Sequence, residues 1–154
     1  MLEKKLTAVE ERTQKKQLKW KKISRKIKQT YLEELLKIKE LKNACYYAKY
    51  EASKEYSKLT SLTIAKAVLT KESENYTVTI IIDGLNIKER DVVRKELKKL
   101  KIKYRKIRGM KDEQSVLLRL SDALAGFLRE VIEGEKYAKS FMKRFQSTKM
   151  IIEA

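Results

Sequence analysis

Four carboxylates sit where an acidic side chain has work to do. Asp83 closes the β-branched run Tyr76-Thr77-Val78-Thr79-Ile80-Ile81-Ile82 and opens Asp83-Gly84-Leu85-Asn86. Sites in open parallel sheets gather at the carboxyl ends of strands, so Asp83 is placed for a metal or a polar substrate; Asp, Gly and Asn are equally the residues of a tight exit turn. Asp112 and Glu113 follow Arg108-Gly109-Met110-Lys111 where a helix is expected to begin, and acids there satisfy free amides and the helix dipole. Asp122 lies mid-helix near an apolar stripe of Leu117, Leu118, Ser121, Leu124, Ala125 and Leu128. An acid beside a buried face must be paired, solvated in a cleft or bound to a metal; Arg119 and Arg129 are its candidate surface partners. Gly126 costs the helix about 1 kcal/mol relative to alanine, which points to a close approach there.

Spacing restrains the metal reading. Glu113 and Asp122 are nine residues apart, about 13 Å along a helix axis, whereas paired metals in a phosphodiester-cleaving site stand only about 4 Å apart. Asp83 is therefore the more natural partner for Asp122.

The second chemical signal is positive charge. The chain of 154 residues has 38 Lys and Arg against 21 Asp and Glu, a net +17. Such an excess points to a polyanionic partner, since each phosphate neutralised releases a counterion; a Lys/Glu-rich surface of the kind seen in thermophiles is the alternative. Residues 1–28 hold eleven basic residues against three acidic ones, and residues 94–111 hold ten against one. In the second patch Lys101, Lys103, Arg105, Lys106 and Arg108 are the predicted phosphate contacts, immediately before the acidic pair. Trp20 could stack on a base, but as the only tryptophan it reads better as a core anchor.

Absent residues narrow the chemistry. There is no histidine, which removes Ser-His, Cys-His and His-ligand metal sites. The single Cys45 lies in an apolar run and is expected to be a buried small hydrophobe; one cysteine permits no disulfide framework and fits a reducing cytoplasm. No apolar run reaches the length of a membrane span, so a soluble cytoplasmic protein without a membrane partner is expected.

With no proline and four glycines, the positioning elements are read from periodicity. Helices are expected over about 2–17, after the Ser24 cap with Ile27, Tyr31, Leu35 and Ile38 inward, and after Ser53 or Ser57 with Leu59, Leu62, Ala65 and Leu69 inward. Further helices follow over about 88–100, 114–133 and 136–146. Strands are expected over 44–50, 76–82 and 102–107, the second covered on both faces. This alternation predicts an α/β fold with crossovers onto a mostly parallel sheet, although three strands are few for six helices.

Several of these segments together resemble a large prokaryotic family known only as a domain of unknown function, number 3800 in its series. Gln17-Leu18-Lys19-Trp20-Lys21-Lys22-Ile23-Ser24 is similar to its Glu-Leu-Lys-Trp-x-Lys-Leu/Ile-Ser segment, and Ile80-Ile81-Ile82-Asp83 to a strand ending in Asp. Arg108-Gly109, Asp112-Glu113 and Ser121-Asp122-Ala123-Leu124-Ala125-Gly126 are similar to its arginine-glycine loop, acidic pair and Ala-Asp-Ala-x-Ala-Gly helix, so the resemblance covers about residues 17–133. It implies a ribonuclease-H-like fold in which Asp83, Glu113 and Asp122 are catalytic, with Asp83 and Asp122 holding Mg²⁺ or Mn²⁺ for phosphodiester hydrolysis. Two departures set a further expectation. The family's opening Ile-Asp-Glu-Ser-Gly strand has no counterpart, and Gln17 stands where the family has an acid. The expectation is an N-terminally truncated copy, or one whose sheet is completed by a second chain, with weak or no catalysis by itself. The expected layout is a charged helix over 1–16, a partial ribonuclease-H-like domain over 17–134 and a basic helix and tail over 135–154. A non-catalytic nucleic-acid-binding or interaction remnant is the alternative.

Overall fold

The structure is a computed structural model that describes residues 1–50, 55–71 and 76–154. Among these, the elements run in order α1 (Leu2–Arg12), α2 (Arg25–Leu36), β1 (Cys45–Tyr47), α3 (Tyr56–Lys71), β2 (Thr79–Asp83), α4 (Ile87–Lys99), β3 (Lys106–Met110), α5 (Val116–Ile132), α6 (Lys136–Ser147) and β4 (Ile151–Glu153). Short 3₁₀ turns stand at Trp20–Lys22, Lys39–Leu41 and Asp112–Gln114. The fold is α/β, but in place of one mostly parallel sheet the described strands form two pairs, β1 with β4 and β2 with β3. No described helix is long and apolar enough to cross a membrane.

The chain divides into two compact units interleaved in sequence: residues 1–45 with 111–151, and residues 46–110 with 152–154. The expected segment 1–16 falls within the first unit, as do residues 135–151.

The first unit is built on α1, α2, α5 and α6. As expected, the Ser24 hydroxyl caps α2, accepting from the Ile27 N–H at 3.2 Å. Leu6 and Val9 of α1, Tyr31, Leu32 and Leu35 of α2, Phe127 of α5 and Phe145 of α6 are all almost wholly buried. Trp20 joins them at 4% exposure and meets Tyr31 and Phe127 edge-on, with ring centroids 6.3 and 6.5 Å apart. Edge-to-face pairs of this kind contribute about 0.5–1.5 kcal/mol each beyond their buried area. Trp20 is therefore the core anchor and offers no face on which a base could stack. Helix α5 begins at Val116, two residues after the expected start, because Ser115 caps it through the Leu118 N–H.

The second unit is a β2–α4–β3 crossover with α3 packed on α4. The two strands run parallel, with Ile80 opposite Ile107 and Ile81 opposite Arg108. Ile80 and Ile107 are buried with Ala65, Val93, Leu97 and Ile102. Three expectations are corrected here. First, β2 is not covered on both faces: of its isoleucines only Ile80 is buried. A two-stranded sheet with helices against one side leaves the alternate residues to the other.

Second, the strand expected over 102–107 begins four residues later. Helix α4 ends in a Schellman motif, with Lys101 N–H to Lys98 O at 3.1 Å and Ile102 N–H to Leu97 O at 3.0 Å. Ile102 is spent packing against that helix end, and pairing starts only when Arg105 N–H reaches Val78 O at 2.7 Å. Arg108-Gly109 is consequently strand interior, not a loop. Third, α3 buries Ala65 as expected but Ser61 with it, while Leu59 and Leu62 are half-buried and Leu69 is 54% exposed. Ser57 lies inside that helix, and Ser53, the other expected cap, lies outside the described residues. The run 44–50 contributes only the three residues of β1, and Cys45 is half-buried.

Candidate functional site

The basic run of the second unit is laid out by strand geometry. Successive side chains of a strand point to opposite faces, so with Ile107 in the core, Lys106 and Arg108 stand together on the other face, beside Thr79 and Ile81 of β2. Lys101, Lys103 and Arg105 precede them and are exposed, while Ile102 is buried and Tyr104 half-buried between them. Lys101 occupies the left-handed C′ position of α4 at φ 57°, a position usually held by glycine. None of these five cationic side chains makes an ion pair or hydrogen bond with a described residue. Some other described cations are paired, Arg12, Arg25, Lys28 and Arg144 each holding a glutamate at 3.1 Å or closer, while Lys19, Lys21 and Arg129 are exposed without a described carboxylate.

Gly109 explains how β3 meets the turn that follows β2. A Cβ on Gly109 would lie 2.4 Å from the Leu85 carbonyl oxygen, so only glycine lets the 84–86 turn lie against the strand. That turn holds Gly84 at φ 65° and Asn86 as the cap of α4, in a capping box with Glu89. Asp83 is exposed just before it, and its carboxylate has no partner among the described residues.

The other two predicted acids belong to the first unit. Glu113 is exposed in the 3₁₀ turn before α5 and contributes its backbone carbonyl to Arg119 Nη1 at 3.1 Å. Asp122 is half-buried and accepts the Trp20 N–H at 3.2 Å, which ties the Trp20–Lys22 turn to α5. Gly126 is explained by the same packing: a Cβ there would stand 2.4 Å from the indole Cδ1 of Trp20. Among the described residues, no three His, Cys, Asp or Glu side chains stand close enough to hold a metal ion.

Two polar assemblies escaped sequence reasoning. In one, the Arg119 guanidinium grips Glu10 through two hydrogen bonds of 2.7 and 2.9 Å and also holds the Asp112 carbonyl at 3.1 Å. Lys15, wholly buried, donates to Leu18 O at 2.9 Å and stands 3.9 Å from Glu10; burial pushes its pKa down against the attraction of Glu10. In the other, Glu130 accepts from Trp20 Nε1 at 2.7 Å, from Lys28 at 2.8 Å and from the Tyr137 hydroxyl. Burial alone would raise the Glu130 pKa, but the hydrogen bonds from Lys28, Tyr137 and Trp20 outweigh it and hold the carboxyl below its ordinary value. Burial, then the Glu130 bond, pushes Tyr137 up. Glu10 and Arg119 are 109 positions apart, and no local spacing announces such a pair.

Compared with known proteins, the chain matches no protein-family model, no curated protein and no solved structure.

Proposed function

We propose that this protein binds nucleic acid through the exposed face of β3 and the run leading into it, and does so without cleaving it. The observation that carries this reading is that Lys101, Lys103, Arg105, Lys106 and Arg108 are exposed cations without a described carboxylate partner. With ten basic residues and one acid over residues 94–111, this run lacks the local carboxylates that a Lys/Glu-balanced surface uses to pair its cations. Unpaired cations closely spaced along one run suit a phosphate backbone, whose neutralisation releases counterions. Hydrolysis is the reading we set aside, on the donor set itself. Asp122 spends one carboxylate oxygen on the Trp20 N–H, Glu113 is exposed, and no three described acids stand together as a metal-dependent nuclease site would need.

The test is binding of a short labelled duplex as salt is raised. Five phosphate contacts give a slope of log K against log salt of about −4.5, hence about 500-fold weaker binding at 200 mM than at 50 mM. Affinity indifferent to salt would overturn the proposal, and Mg²⁺- or Mn²⁺-dependent cleavage abolished by Asp122→Asn would restore the hydrolytic reading.

A further inference from the structure

A cleft of about 340 Å³ opens in the first unit between the Trp20 turn and α5, lined among others by Lys19, Lys21, Asp122, Gly126, Arg129 and Glu133. We infer that this cleft takes one unpaired nucleotide of a bound single strand, its phosphate on the cations and its base edge on a carboxylate; the inference rests on the nucleic-acid reading above. Lys19, Lys21 and Arg129 are exposed and pair with no described carboxylate, whereas Lys28, also at the cleft, is already committed to Glu130 at 2.8 Å. Of the acids, Glu130 is saturated by three donors. Asp122 gives one oxygen to the Trp20 N–H and keeps the other; Glu133 has no described side-chain partner.

A cleft with free cations and free acceptors does not suit a bare phosphate, which the acids would repel. It suits a ligand carrying an anion and amino donors, and a nucleotide of cytosine, adenine or guanine has both. The volume lies at the small end of ligand pockets, enough for one such unit. Trp20 is 4% exposed and the Lys28 ammonium stands over its ring, 5.4 Å from the centroid, so the cleft distinguishes bases by hydrogen bonding and not by stacking. Thymine and uracil present no amino group; their only edge donor, N3–H, lies between two carbonyl oxygens that a carboxylate repels, so they should be the weaker ligands.

Oligo-dC and oligo-dT of equal length carry equal charge, so the phosphate contribution cancels between them. Trp20 is the only tryptophan in the chain and lines the cleft, so its emission reports occupancy. Titration of the full chain should show roughly tenfold tighter binding of oligo-dC than of oligo-dT, with a change in Trp20 emission. Asp122→Asn can still accept the Trp20 N–H but then turns an NH₂ toward the cleft, so the preference should collapse while the emission of the free protein is unchanged. Arg129→Gln, at an exposed position, should weaken both strands alike. Equal binding of the two strands with unchanged emission overturns the cleft and leaves the β3 face standing; binding of neither strand at low salt overturns the cleft, and the duplex titration above then decides the β3 face separately.

Discussion

Replacing Gly126 with alanine sets two effects of opposite sign against each other. In a helix interior alanine is favoured over glycine by about 1 kcal/mol, so on propensity alone the variant should be more stable. The structure reverses the sign. The new methyl would stand 2.4, 2.7 and 2.9 Å from three carbons of Trp20, and no such contact is tolerated without movement. The indole is not a flexible side-chain end: it is 4% exposed, packed on Tyr31 and Phe127, and hydrogen-bonded to Glu130 at 2.7 Å. Overpacking of this kind costs about 1–3 kcal/mol. If the ring swings away, the bond to a charged acceptor, worth about 1.5–3 kcal/mol, is lost as well. With both costs set against the propensity gain, the net result is a loss of about 1.5–5 kcal/mol. A chain of this size loses about 2–4 °C of unfolding temperature per kcal/mol. Thermal and denaturant unfolding followed by Trp20 emission reads the effect directly, because the probe sits at the perturbed contact. A variant as stable as the parent, with the same emission maximum, would refute the close approach of α5 to Trp20.

Other perturbations test separate parts of the account. Lys101→Gly removes a left-handed non-glycine residue from the end of α4, so the protein should gain about 0.5–1 kcal/mol in denaturant unfolding while its nucleic-acid affinity falls; loss of stability would count against the helix end described. Arg119→Met leaves buried Glu10 with only Lys15 at 3.9 Å and should cost about 3–5 kcal/mol, whereas Glu10→Leu with Arg119→Met should recover only part of that loss, because it takes the carboxylate from buried Lys15. A double-mutant cycle giving no coupling would remove the pair from the folding account. The Glu130 carboxyl is held below its ordinary value of 4.5, so its contribution to stability is complete above that pH and is lost as pH falls through the depressed value. Denaturant midpoints in Glu130→Gln should therefore decline less steeply below pH 4.5 than in the parent, and parallel declines would contradict the assignment.

Elements whose signals are local were legible in the sequence. The Ser24 cap, the helix expected over about 88–100 and found over 87–99, and the parallel pairing of its flanking strands follow from capping chemistry and periodicity. Helix ends were harder where lysine replaced glycine. Lys101 and Lys149 occupy left-handed positions at φ 57°; the end of α4 was read to within one residue, but without a glycine the turn after it was invisible, which shifted β3 by four residues. The face of α3 was misjudged because apolar residues surround it, leaving periodicity nothing to select. The special status of Gly126 was legible, but its cause, an indole more than one hundred positions away, was not. Asp122 stood out as an acid near an apolar face, yet its partner is a backbone N–H that no residue type encodes.

The salt dependence of binding in Lys106→Gln/Arg108→Gln, measured beside the parent chain on one duplex, tests the central claim most directly. Both residues are exposed and neither has a described partner, so the fold should not be disturbed. Each lost phosphate contact lowers the slope of log K against log salt by about 0.9, so the magnitude should drop by about 1.8. A slope unchanged from the parent would show that the face of β3 does not hold the backbone.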